Sequence, residues 1–241
     1  MEQDNISHKL KEILANSNSN FKILEDQIDV KIQIEFFELA DKLYNETEEF
    51  TDIKLETERL FNQKTLIEDQ KRILVKLSQN NTPEAYRIIE RFISSGDLKL
   101  KKWSKLALQH CRINLESQLL DEENIIISTG LGGKETKLRY FIVFKLKGIL
   151  KITKTQKKLV INEFEFSFKE NNSEIEDVNF FDEYISILGL IPIDISVNNL
   201  ILKALNESNS FGNFINDKYL LTNVKMLNKI EIETYFKNKG I

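Results

Sequence analysis

The sequence is poor in residue types on which several classes of protein depend. Its 241 residues include one cysteine, two histidines and two prolines. The single cysteine, Cys111, cannot form an internal disulfide, which is typical of proteins in a reducing compartment. No apolar run approaches the ~20 residues that a membrane-spanning helix needs. We therefore predict a cytoplasmic protein with no disulfide and no membrane partner.

The same scarcity argues against metal-dependent and nucleophilic chemistry. No cysteine and histidine spacing matches a zinc site, and the adjacent His110 and Cys111 would point about 100° apart on a helix. No G-x-S-x-G nucleophile elbow is present. Asp182 and Glu183 could pair carboxylates for acid–base work, although such pairs more often mark an exposed loop end. We predict no catalytic residue, no metal and no cofactor, with a dispersed carboxylate site as the enzymatic alternative.

Glycine is also scarce, and three of the eight glycines fall in one stretch, residues 130–134. They are Gly130, Gly132 and Gly133. A phosphate-binding Walker A loop would need glycine at Ser128 and serine or threonine at Glu135, so this chain does not match it. Between two apolar runs, Ile125–Ile127 and Leu138–Leu146, the stretch instead predicts a mobile hairpin loop joining two strands.

Apolar residues before position 121 recur at the three- and four-residue spacing of helices. The segments with this spacing are 26–44, 51–61, 66–77, 82–93 and 97–120. Thr82-Pro83-Glu84 supplies a capping residue, a proline in the first turn and an acid, which is a strong helix start. Helices joined by short Asn/Ser/Gly turns resemble HEAT-like α-solenoid packing, whose arrays mostly bind macromolecules. An ordinary helical bundle is the other arrangement that this pattern allows.

Strands and helices alternate after position 121. The strand candidates after residue 138 are 138–146, 175–178, 184–191 and 219–224, and the helix candidates are 153–168, 194–205 and 228–236. Alternating phenylalanines also allow a strand within 153–168, but the capping-box pattern Thr153-x-x-Gln156 favours a helix. The order β-α-β-β-α-β over residues 138–225 resembles the ferredoxin-like arrangement, a fold that hosts many functions.

These elements predict an α+β protein with two domains. Residues 1–121 would form a helical domain, HEAT-like or a bundle. Residues 122–241 would form a ferredoxin-like α/β sandwich with an extra N-terminal strand.

A net charge of −4 conceals a basic middle between acidic ends. Residues 1–66 carry −7, residues 67–158 carry +9 and residues 159–241 carry −6. Nearby acids could cancel these basic residues on separate solvated faces, or the basic residues could form one surface for an anionic partner. Lysines and an arginine at the tip and base of the glycine loop would make it a contact finger. The candidate contact residues are Lys99, Lys101, Lys102, Lys105, Lys134, Lys137, Arg139, Lys145, Lys147 and Lys151.

The function that these features favour is a non-enzymatic binding or adaptor protein. Its helical half would dock another protein, and its basic middle would contact RNA, a ribonucleoprotein or a nucleic-acid machine. Tyr140 and Phe141 could stack on bases, as on RNA-binding sheets of this topology, although alternating aromatics more commonly form the core of a sheet. A protein-only interaction partner that acts through the acidic ends is the alternative outside nucleic-acid binding.

Overall fold

The computed structural model describes residues 20–46, 52–95, 98–122, 124–148 and 151–240. They form a mixed α+β protein, as predicted. Contacts between Cα atoms divide them into two units, with the division of the chain between Ser128 and Thr129. We call residues 20–128 the helical unit and residues 129–240 the α+β unit; the two-domain division at 121/122 stays a prediction. None of the helices described is both long and apolar enough to cross a membrane.

The helical unit contains five described helices and two short strands. In chain order they are β1 (Asn20–Ile23), α1 (Val30–Asn45), α2 (Ile53–Phe61), α3 (Ile67–Gln79), α4 (Pro83–Ser94), α5 (Lys101–Leu120) and β2 (Asn124–Ile127). The predicted helix starts at positions 51 and 97 lie outside the described residues. At α4 the Thr82 hydroxyl accepts a hydrogen bond from the Ala85 N–H at 3.3 Å, which confirms the predicted start.

The longest helix, α5, organises the packing of the helical unit. It packs against α3 and α4, and also against α1, which lies four helices earlier in the chain and more than one two-helix repeat away. Each repeat of a solenoid contacts only its neighbours, so this arrangement is a bundle and not a HEAT-like array. The core is apolar and aromatic, with the Phe36 and Trp103 rings 5.3 Å apart and edge-on.

Strand β2 does not form the predicted hairpin with residues 138–146. It pairs in parallel with β1, with Phe21 opposite Ile125 and Ile23 opposite Ile127. Parallel strands need a long crossover, and the five helices between β1 and β2 supply it. The extra strand therefore belongs to the helical unit, and that unit is not purely helical.

The α+β unit has the ferredoxin-like topology that the element order predicts. Its elements are β3 (Gly133–Lys134), β4 (Lys137–Leu146), α6 (Lys154–Glu170), β5 (Glu174–Phe181), β6 (Tyr184–Pro192), α7 (Val197–Ser210), β7 (Ile215–Thr222) and α8 (Lys229–Asn238). The four long strands lie in the spatial order β7-β4-β6-β5, and every neighbouring pair is antiparallel. Strand β3 pairs only with the first residues of β4.

Both faces of this sheet are covered by helices. On one face α6 and α7 pack over Ile142 and Phe144 of β4. On the other face α8 packs through Ile232 and Phe236 against residues that include Val143. Residues 154–170 form a helix and not a strand, because the predicted capping box is present with both of its hydrogen bonds.

Tyr140 and Phe141, the residues predicted to stack on bases, belong to the core of the α+β unit. Tyr140 lies on the face covered by α6 and α7, where burial raises its pKa to about 12. Phe141 is 4% exposed within the cluster beneath α8. The stacking interpretation is wrong because helices already cover the faces on which these rings lie.

The glycine stretch is buried and is not the exposed hairpin loop predicted. Gly130, Gly132 and Gly133 are all buried. A Cβ atom on Gly130 would lie 1.8 Å from the carbonyl oxygen of Val224, so only glycine fits this close approach of two backbones. The turn lies further along the chain, between β3 and β4, where Glu135 has a φ of 54°. The contact-finger interpretation is therefore wrong as well.

Candidate anion-binding site

The predicted contact residues are divided between the two units. Those of the helical unit, at or near the start of α5, are Lys99, Lys101, Lys102 and Lys105. Those of the α+β unit are Lys134, Lys137, Arg139, Lys145, Lys147 and Lys151. The Lys105 ammonium lies 2.5 Å from Asp26 Oδ1, so Lys105 is already paired within its own unit.

Three of the predicted residues, at the start of β4 and in β3, face glutamates of β5. Arg139 makes a two-pronged ion pair with Glu176, with 2.5 Å from Nε to Oε2 and 2.8 Å from Nη2 to Oε1. The Lys137 Nζ atom is 2.5 Å from Glu174 Oε1, and Lys134 Nζ is 3.9 Å from Glu174 Oε2. We call these five residues the paired patch.

The glutamates of the paired patch neutralise most of its positive charge. The Lys137 ammonium donates a hydrogen bond to Glu174 and lowers the pKa of that carboxyl group. Lys137 is itself only 8% exposed. A polyanion could bind here only by displacing two carboxylates from their partners, so the paired patch is poorly suited to an anionic ligand.

At the opposite end of β4, Lys145 and Lys147 also have acidic partners, but the lysines that follow them in the chain do not. Helix α6 begins at this end, because the chain passes from Leu146 into the helix over a short connection. Lys151, Lys154 and Lys158 lie there, all three exposed. In the part of the chain that the structure describes, none of the three forms an ion pair.

Strand β7 brings another lysine to this end of the sheet. Leu146 pairs with Ile215, so the start of β7 lies beside the end of β4. A cavity of about 390 Å³ opens here, lined by three lysines and one carboxylate. The charged lining residues are Lys145, Lys147, Glu183 and Lys218.

The cavity lysines differ in how they are held. Lys147 Nζ donates to Asn213 Oδ1 at 2.7 Å and lies 3.1 Å from Asp217 Oδ1. Lys145 Nζ is 3.7 Å from a Glu183 carboxylate oxygen. Lys218 is exposed and has no ion pair with any described residue. We call Lys147, Lys151, Lys154, Lys158 and Lys218 the basic end.

The N-terminus of α6 adds a further positive charge to the basic end. The first turn of α6 contains no acidic residue, and Lys154, Lys157 and Lys158 occupy its first turns. Lysines are unfavourable beside the positive pole of a helix, where acids or bound anions are stabilised. Helices α2, α3, α4 and α8 carry an acid in the first turn, whereas α1, α5 and α7, like α6, carry none. This end of α6 is therefore electrostatically suited to an anion.

His110 and Cys111 have structural surroundings in the helical unit. Cys111 is buried in the core, as predicted, and burial raises the pKa of its thiol to about 11. Burial lowers the pKa of His110 to about 4, and its Nδ1 atom lies 3.0 Å from the Ser78 hydroxyl. Across the described ranges, no group of three His, Cys, Asp or Glu residues is placed to hold a metal ion.

No protein-family model and no curated protein matches this chain. Among solved structures, a proposed transposase from Deinococcus radiodurans is similar at 15% identity and a TM-score of 0.38, over 44% of this chain and 94% of that one. A REP-associated tyrosine transposase bound to a REP hairpin is similar at 10% identity and a TM-score of 0.32, over 42% of this chain and 68% of that one.

The prediction of a non-enzymatic adaptor is contradicted by these neighbours, since both are named as transposases. The paired patch also removes much of the physical basis of that prediction. Lys134, Lys137 and Arg139, which were to extend one basic surface, are ion-paired to β5. The likeness covers less than half of this chain and concerns its fold.

Lys154, Lys158 and Lys218 are the residues of the basic end that are not among the predicted contact residues, and Lys218 is the one outside the basic stretch 67–158. It lies in the segment 159–241, whose net charge is −6, and its neighbour Asp217 is acidic. Nothing local marks it as part of a basic surface. The signal lay in the topology, because the ferredoxin-like order places the fourth strand beside the first.

Proposed function

We propose that the basic end of the α+β unit binds nucleic acid through the phosphate backbone. The observation that carries this proposal is that four of its five lysines, Lys151, Lys154, Lys158 and Lys218, have no acidic partner among the described residues. Ammonium groups in such positions neutralise phosphates and release the counterions bound to them. The N-terminus of α6 supports the same chemistry, since its backbone N–H groups favour an anion.

The composition of the basic end indicates contact with phosphates and not with bases. Lysine is a point charge on a flexible stem, whereas arginine supplies the planar fork that reads guanine edges. Of the aromatic rings of β4, Phe141 and Phe144 are buried and Tyr140 is half-buried against the residues beneath α6 and α7, so the strand offers no open stacking surface. We therefore expect binding that depends little on nucleotide sequence and strongly on salt. The buried thiol Cys111 is compatible with a cytoplasmic location, which is part of the proposal.

The test is fluorescence anisotropy of the full chain with labelled single-stranded and duplex oligonucleotides between about 50 and 200 mM salt. We expect the triple variant Lys151→Gln/Lys154→Gln/Lys158→Gln to bind at least about tenfold more weakly at the lower salt. The slope of log affinity against log salt should become shallower by about two to three units, because three phosphate contacts are lost.

The single variant Lys154→Gln is compared with Lys169→Gln, which serves as the matched control. Both lysines are exposed on α6 and have no ion pair within the described residues, but Lys169 lies at the other end of the helix. Only Lys154→Gln should weaken binding and reduce the salt slope. Equal losses in both variants would mean that general net charge and not the basic end binds the oligonucleotide, and the proposal would be rejected.

A further inference from the structure

A groove in the helical unit has an unusual charge arrangement. It lies between α2 and α4 and has a volume of about 750 Å³. Lys54, Thr57 and Glu58 of α2 line it at three- and four-residue spacing. Helix α4 contributes Glu84, Arg87 and Arg91 at the same spacing. Ligand pockets have volumes of about 300–1,000 Å³, so the groove is large enough for a small molecule.

The groove cations lack the acidic partners that many other cations of the helical unit have. Lys54, Arg87 and Arg91 form no ion pair with any residue in the described part of the chain. Arg59, Lys71 and others elsewhere in this unit do pair with acids. Three positively charged groups therefore face one groove with their hydrogen-bond donors available.

Arg91 is held in place without being neutralised. Its guanidinium carbon lies 4.8 Å from the centroid of the Phe61 ring, and that ring packs edge-on against Phe92. A cation–π contact fixes the plane of the guanidinium group but leaves its N–H donors free to bind an anion. Arg87 is one helical turn away, at a Cβ separation of about 6 Å. Together they offer two planar forks for the oxygens of one phosphate group.

The two groove carboxylates restrict what can bind. Glu58 and Glu84 line the same groove and, like the cations, have no ion-pair partner among the described residues. They would repel the additional phosphates of a polyanion, but they can accept hydrogen bonds from hydroxyl groups. Ile88, which is 7% exposed, adds an apolar contact to the lining. The arrangement fits a compact ligand with one phosphate and several hydroxyl groups.

We infer that this groove binds a small phosphomonoester that carries hydroxyl groups, either a sugar phosphate or a nucleotide. Arg87 and Arg91 bind the phosphate, which has close to two negative charges at neutral pH and three terminal oxygens. Glu58 accepts hydrogen bonds from the hydroxyl groups. This inference is independent of nucleic-acid binding at the basic end, since it concerns different residues in the other unit.

Isothermal titration calorimetry of the full chain would test the inference with four probes. Ribose 5-phosphate and adenosine 5′-monophosphate represent the two ligand sources, and inorganic phosphate and adenosine each lack one half of the required chemistry. We expect at least one phosphomonoester to bind more tightly than inorganic phosphate, and adenosine not to bind. Whichever of the two phosphomonoesters binds more tightly identifies the source. Equal binding of inorganic phosphate, or no binding of either phosphomonoester, would overturn the inference.

Variants assign the binding to the groove. Arg87→Gln and Arg91→Gln should each weaken phosphomonoester binding by at least about tenfold, because each removes charge-assisted hydrogen bonds. Arg87→Lys keeps the charge but loses the fork, and should still weaken binding measurably. The control is Arg112→Gln, since Arg112 is an arginine of the same unit that is already paired with Glu25 at 3.2 Å.

A further variant separates the two halves of the ligand. Glu58→Gln should reduce the preference for phosphomonoesters over inorganic phosphate while leaving inorganic phosphate bound at least as tightly. If both arginine variants bind a phosphomonoester as tightly as the wild-type chain does, the site lies elsewhere and the inference is wrong. Arg87 and Arg91 are exposed, so unchanged thermal unfolding midpoints are expected and verify that the variants are folded.

Discussion

The paired patch and the basic end lie at opposite ends of strand β4, and except for Lys218 their cations come from the same basic stretch of sequence. At the paired patch every cation lies within 3.9 Å of a glutamate carboxylate of β5. At the basic end Lys147 has an acidic partner, Asp217, but four lysines have none among the described residues. The difference arises because the paired patch faces the glutamates of β5, whereas the four unpaired lysines lie on α6, just before it or on β7, where no described acid pairs with them.

This contrast shows how a charge count along the chain differs from a charge surface. The acids that neutralise the paired patch lie in segment 159–241, about 37 residues after their partners. The sheet brings them together because β5 and β4 flank β6. A basic segment is therefore a candidate for anion binding only where the fold does not supply acids from elsewhere.

The largest effect expected from this comparison is the decrease in the free energy of unfolding when Arg139 is replaced. Its side chain is 13% exposed, pairs with Glu176 and also donates to the Leu131 carbonyl oxygen at 2.7 Å. Arg139→Met should lower the free energy of unfolding by about 2 kcal/mol, because charged hydrogen bonds are lost and Glu176 is left without a partner. Lys154→Met at the basic end should change it by less than about 0.5 kcal/mol. Urea denaturation measures both, and similar values would remove the distinction between the two ends.

The paired patch can be converted into a second basic surface. The double variant Glu174→Gln/Glu176→Gln leaves three cations without acids, so affinity for an oligonucleotide should rise by about tenfold at low salt. The control is Glu165→Gln/Glu207→Gln, which removes the same charge from exposed positions on α6 and α7. Anisotropy titrations that show the same rise in both double variants would attribute it to net charge alone.

A smaller effect should separate stability from binding at the basic end. Lys154→Glu places an acid in the first turn of α6, where it interacts favourably with the helix dipole. We expect the free energy of unfolding to rise by about 0.5 kcal/mol while oligonucleotide affinity falls. Thermal unfolding and anisotropy on the same sample measure the two changes. A variant that is both less stable and unchanged in binding would contradict the role assigned to this end of α6.

The smallest effect expected is the pH dependence of the Glu174 ion pair. In the folded state the pKa of Glu174 lies below its ordinary value of 4.5, because Lys137 donates a hydrogen bond to the carboxylate. The ion pair therefore stabilises the fold above pH 4.5, and this contribution is lost as the pH falls through the lowered, folded-state pKa. The stability difference between the wild type and Glu174→Gln should be largest near neutral pH and disappear in acid. It should stay below about 0.5 kcal/mol, because the Glu174 side chain is 48% exposed and screened by water. Urea titrations at several pH values measure this difference. A difference that persists in acid would contradict this assignment.

Features that depend on a few neighbouring residues could be predicted from the sequence. The capping boxes at Thr153–Gln156 and Asn228–Glu231 both form, because each needs only residues three positions apart. The order of strands and helices after residue 138 likewise follows from local periodicity, and with it the ferredoxin-like topology.

Features that depend on residues far apart in the chain could not be predicted from the sequence. Ile125–Ile127 has the composition of a strand, but its partner, residues 21–23, is about a hundred positions earlier. Gly130 is required by the approach of the Val224 backbone and not by a turn of its own. In both cases the sequence shows a strand-forming segment or a glycine, but the distant partner that explains it becomes known only from the structure.

By itself, the sequence determined the helices, most of the strands and the α+β class of this protein, since capping and apolar periodicity act within one or two turns or one strand. Only the tertiary structure decided which cations are neutralised. Ion pairs between β4 and β5 need side chains that the sheet brings within a few ångströms, and these pairs separate the paired patch from the basic end. The groove between α2 and α4 has the same origin, because its charges become one site only when the two helices pack together.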